Sequence, residues 1–94
     1  MSRLYWARND GLSGHVWLGE ADRAALAREM ILQGMSAFPV ATFERGERMQ
    51  VTAGEIEEAL GAAAPEPVSV DERLWLDWLA FLAGATENGG LLVR

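Results

Sequence analysis

The sequence predicts an α+β domain: a small antiparallel sheet of two hairpins plus a C-terminal strand, with about three helices packed on one face, in the order ββαββααβ. Three observations carry this. Apolar and polar residues alternate with period two near the amino terminus, where Leu4 and Trp6 oppose Arg3 and Tyr5 and where Val16 and Leu18 oppose His15 and Trp17. Helix-opening boxes of the S/T-x-x-E kind occur at Thr52–Glu55 and at Ser69–Glu72. The connections between strand-like runs are short and carry Asn, Asp and Gly, as antiparallel hairpins require.

Residues 3–8 read as the first strand, and Asn9-Asp10-Gly11 turns the chain into the second at His15–Leu18. Glu20 to Gln33 is rich in helix formers, has acids in its first turn and is followed by Gly34. Its wheel sets Leu26, Ala27, Met30 and Ile31 inward and Asp22, Arg28, Glu29 and Gln33 outward. Phe38 to Glu44 has strand-preferring residues, with Pro39 limiting it to an edge or to a strand that begins after it; Arg45-Gly46 then turns it into Met49–Val51 as a second hairpin. The Thr52 box opens a short helix to about Ala63, which Pro65-Glu66-Pro67 cannot continue because proline lacks the amide. The Ser69 box opens the longest helix, with Leu74, Trp75, Trp78, Phe81, Leu82 and Ala85 on one side and a stop at Gly84 or Asn88-Gly89-Gly90. Leu91–Arg94 reads as a final strand, whose neighbour is the first hairpin or a second subunit.

Ninety-four residues amount to one domain with one core. Fourteen acids against eight bases give a net charge of −6, which repels a phosphate backbone, so no nucleic-acid partner is expected. All eight bases are arginine, the mark of a GC-rich, bacterial type of genome. With no cysteine, disulfides, thiolate zinc sites and cysteine nucleophiles are excluded, and an unstapled small domain fits the cytoplasm. The start, M-S-R-L-Y-W-A-R, lacks the apolar stretch of a leader. The longest apolar run is broken by Asp77 and falls short of the roughly 20 residues a membrane span needs, so no membrane insertion is expected.

No residue set announces a chemistry. Asp10, Ser13 and His15 are the three triad types, but one hairpin tip does not converge them in series. Gly11-Leu12-Ser13-Gly14 is a turn, not a phosphate or RNA clamp, since no helix follows it and no lysine exists. Glu55 with Glu58 and Glu44 with Glu47 have no accompanying histidine and read as solvated faces, so neither a metal nor any other cofactor is expected.

Four tryptophans are the one enrichment. Leu76 and Leu79 widen the apolar arc of the last long helix around Trp75 beyond what one packing partner covers, and Trp6, Trp17 and His15 form a second aromatic patch on the first hairpin. These six residues are the candidate interface. The expected function is a small acidic interaction module that binds another protein, a copy of itself as a homodimer included; negative charge would suit a basic target. The alternative is a small-molecule pocket lined by Trp6, Trp17, Tyr5 and Phe43 with Arg3, Arg8 or Arg48 gripping an acid group. An enzyme would have to run on carboxylates, arginine and one histidine.

Overall fold

The computed structural model describes residues 2–8 and 14–94 and confirms an α+β architecture. In chain order the elements are β1 (Ser2–Trp6), β2 (His15–Leu18), α1 (Glu20–Leu32), α2 (Val40–Glu44), β3 (Met49–Val51), α3 (Ala53–Leu60), α4 (Glu72–Glu87) and β4 (Leu91–Val93). The turn expected at Asn9-Asp10-Gly11, and with it Ser13 and most of the G-x-x-G run, lies outside the described residues.

All strand pairs are antiparallel, in the spatial order β2-β1-β4-β3. The last strand therefore enters the middle of the sheet. Its neighbours are β1, with Tyr5 opposite Leu92, and β3, with Gln50 opposite Leu92. Each strand alternates as a one-sided sheet must: Leu4, Val16, Leu18, Met49, Val51, Leu91 and Val93 pack into or against the core, while the residues between them stay out of it.

One segment differs from its expected state. Phe38–Glu44, read as a strand because of its Val, Thr and Phe, contains the short helix α2, so β3 has no hairpin partner before it and pairs with β4 instead. Tertiary packing decides this. Phe38 and Phe43 meet edge to face at 5.6 Å, and Phe43 stacks on Trp78 at 5.3 Å, an arrangement that an extended segment could not make from residues five apart. Gly46 is then a helix stop and not a hairpin turn. At φ 71° its amide bonds the Phe43 carbonyl and the next amide, from Glu47, reaches back to Thr42, the two bonds of a Schellman cap. Gly34 ends α1 in the same way.

The core lies between the sheet and the helices, and α3 packs against α4 within that layer. It comprises Leu26, Ala27 and Met30 of α1, Phe43 of α2, Ile56 and Ala59 of α3, and Trp75, Trp78, Leu82 and Ala85 of α4. Two positions on α1 exchange the roles their wheel suggests: Ile31 is 64% exposed, and Glu29 is fully buried. The reason is the 61–71 segment, which crosses over α1. Glu29 accepts hydrogen bonds from Gln33 Nε2 at 2.7 Å, from the Val68 amide at 2.8 Å, and from the amide and hydroxyl of Ser69 at 2.6 and 2.8 Å.

Ser69 is thus a donor to α1 and not the cap of α4. That helix starts two residues later than the S-x-x-E box implies, with Asp71 accepting from the Leu74 amide at 3.1 Å. The Thr52 box forms as expected: its hydroxyl accepts from the Glu55 amide at 3.1 Å and Glu55 takes the Thr52 amide at 3.0 Å.

Candidate functional site: the uncovered face of the sheet

The helices cover one side of the sheet, and the side chains that alternate away from them are Arg3, Tyr5, His15, Trp17, Gln50 and Leu92. Strand order and register arrange them in two rows. One row runs Gln50, Leu92, Tyr5, His15 from β3 to β2. In the other, Trp17 stands opposite Arg3, and Arg3 exchanges both backbone hydrogen bonds with Arg94, at 2.9 and 3.3 Å. Carrying the β3–β4 register one residue beyond Met49 and Val93 sets Arg48 opposite Arg94. The second row is therefore Arg48, Arg94, Arg3, Trp17.

This face has an internal order that comes from ring chemistry. Tyr5 and His15 are cross-strand partners whose rings stack with centroids 4.5 Å apart and planes 2° from parallel. The Arg3 guanidinium lies 4.6 Å from the Trp17 ring and 5.3 Å from the Tyr5 ring, held by both quadrupoles. Trp17 remains 49% exposed. None of the four strands contains an acidic residue, and among the described residues Arg3, Arg48 and Arg94 form no ion pair. Among the described residues the acids lie on the helices and connections, none within a strand.

The candidate residues named from sequence separate into three groups. Trp17 and His15 are on the uncovered face. Trp6 and Trp75 face the core: Trp6 is half-buried on the helix side with its indole N–H donating to Phe81 at 2.9 Å, and Trp75 is fully buried with its N–H donating to Ala64 at 2.8 Å. Trp75 has no surface to offer a partner, because its ring is spent on the core and its donor on a carbonyl of the same chain, whereas Trp6 is only partly buried, with its donor likewise taken up. On α4, Leu79 is half-buried against the core and Leu76 alone is an exposed large apolar side chain, at 41%. The expected surplus of apolar arc on that helix thus reduces to one leucine.

The sequence-based pocket does not assemble. Trp6 and Phe43 lie on the helix side of the sheet and Tyr5 and Trp17 on the other, so the four line no common space. A cleft of about 210 Å³ does open between β2, α1 and α4, with Val16, Leu18, Leu74 and Phe81 in its wall and Asp22 and Asp77 at its rim. Trp78 also borders it, but its unpaired indole nitrogen has no solvent-reachable surface and offers nothing to a ligand there. The paired carboxylates have local partners: Glu47 is held by Arg45 at 2.9 Å, and Glu55 by the Thr52 cap, whose backbone and side-chain hydrogen bonds lower its pKa.

What the sequence missed is the arginine row, since Arg3, Arg48 and Arg94 come together only through the strand order. No helix of the described residues is long and apolar enough to cross a membrane. No protein family, no curated protein and no solved structure matches this chain.

Proposed function

We propose that this protein is a protein-binding module whose working surface is the uncovered face of its sheet. The observation that carries the reading is the exposed Trp17, fixed beneath Arg3 beside the Tyr5–His15 stack, on a sheet face that no helix of the described residues covers. Rigid aromatic and arginine side chains are the residue types that anchor protein interfaces, because they bury large areas at small conformational cost. A different protein suits this face better than a second copy of it. Two-fold pairing face to face would bring two arginine rows together, and like charges across an interface cost several kcal/mol, roughly.

The test is a photo-crosslinking amino acid in place of Trp17, compared with the same group in place of Leu76, in the cell that makes the protein. The expected result is one discrete adduct from position 17 with a protein identified by mass, lost when Arg3→Glu is added and absent from position 76. An adduct from position 76 alone, or none from position 17, would overturn the reading. An adduct of twice this chain's mass would replace it with self-association.

A further inference from the structure

Resting on that reading, we infer that the partner segment seated on the sheet is acidic: a carboxylate-bearing stretch of another protein, gripped by Arg48, Arg94 and Arg3 beside Trp17. Like charges directly opposite one another at a sheet are destabilising, and this row sets Arg94 beside Arg3 and, one residue before β3, Arg48 beside Arg94, with no Asp or Glu side chain paired to any of the three among the described residues. Neighbouring strands are about 4.8 Å apart, so the three cations span roughly 10 Å, the spacing of two or three side chains along a bound segment. A feature that costs the isolated fold stability and has no Asp or Glu partner among the described residues is accounted for by one outside it.

The net charge of −6 does not forbid this. Among the described residues no acid lies within a strand, and at physiological salt the screening length is about 8 Å, so a ligand in direct contact with the arginines is governed mainly by them. The ring geometry selects protein over nucleic acid. A stacking platform for bases needs free ring faces. Here Tyr5 and His15 each give one ring face to the other and Trp17 gives one to Arg3, which disfavours base stacking, while guanidinium groups suit bidentate carboxylates. The target chemistry is therefore opposite to the basic partner that the overall charge suggests.

The experiment is fluorescence anisotropy of a labelled decaglutamate peptide titrated with the whole chain near physiological salt, beside a labelled thymidine oligonucleotide of the same length. The expected result is binding of the peptide that weakens on the order of tenfold or more in the Arg48→Gln, Arg94→Gln double variant, the loss of two charge-assisted contacts. The Arg28→Gln, Arg73→Gln double variant removes the same charge from the helix layer and should leave the affinity unchanged. Circular dichroism melts establish that both variants are folded. No peptide binding, or equal weakening in both double variants, overturns the inference, as does tighter binding of the oligonucleotide with the same sensitivity to Arg48 and Arg94. Failure here with a position-17 crosslink intact removes only the partner's acidity; failure of both removes the binding face itself.

Discussion

Ser69 donates both its amide and its hydroxyl to one carboxylate oxygen of Glu29, across forty positions of sequence. Glu29 is buried, so removing its charge or its acceptors strands donors that have no water to turn to. Glu29→Gln should therefore cost roughly 2–4 kcal/mol, because the amide NH2 would face donors from Gln33 or Val68. Ser69→Ala, which keeps its backbone bond, should cost about 1–1.5 kcal/mol, and Asp71→Ala about 1 kcal/mol for the lost cap. Urea unfolding of the three variants checks the order. If Ser69→Ala were the most costly, the clamp would not be centred on Glu29.

The same carboxylate sets an acid limit on stability. Burial raises its pKa, but the hydrogen bonds from Gln33, Val68 and Ser69 outweigh that and hold it at about 2 against an ordinary 4.5. The folded value lies below the unfolded one, so this contribution is complete above about pH 4.5 and is lost as pH falls toward about 2. Its size is about 3 kcal/mol. Unfolding free energies measured across that window should fall in the wild type and fall less steeply in Glu29→Gln.

Gly84 of α4 lies directly under the Trp6 indole, and a methyl group there would overlap the ring. The ring cannot slide away without giving up its 2.9 Å hydrogen bond to Phe81. Gly84→Ala should destabilise by about 1–3 kcal/mol despite alanine's better helix propensity. Trp6→Leu in the same chain should restore part of the loss, a non-additivity that a double-mutant cycle reads directly.

Arg94→Gln should behave in the opposite sense. Removing the middle charge of the Arg48–Arg94–Arg3 row relieves two like-charge neighbours, and the free protein should gain about 0.2–1 kcal/mol, more at low salt than at high. A loss of stability, or no salt dependence, would mean that the arginines do not confront one another.

Leu76→Glu places a charge at the one exposed large apolar side chain of α4. Since that helix presents no broader apolar surface, stability should change by no more than about 0.5 kcal/mol and the elution volume should stay as it was. A shift to smaller size would revive an interface on the helix side.

Much of this fold was legible locally. Period two gave β1 and β2, the Thr52 box gave α3, and acids followed by Gly34 gave α1, because each signal sits within one element. Phe38–Glu44 misled for a physical reason: a five-residue helix is too short to show a period, and Val40, Thr42 and Phe43 carry strand preference that aromatic packing against Trp78 overrides. The buried state of Glu29 was invisible because a wheel scores a residue against its own helix and not against a linker that later folds over it. The sheet face was half legible. Trp17 and His15 could be placed together from alternation alone, whereas Arg48, Arg94 and Arg3 form a row only once β4 is known to lie between β1 and β3.

Amide chemical-shift mapping of the isotope-labelled chain with the decaglutamate peptide tests the working surface most directly. Binding at the uncovered face predicts that the amides of Arg3, Tyr5, His15, Trp17 and Leu92 shift together while those of α1 and α4 stay in place. Shifts centred on Asp22, Leu74 and Asp77, at the cleft between β2 and the helices, would contradict it.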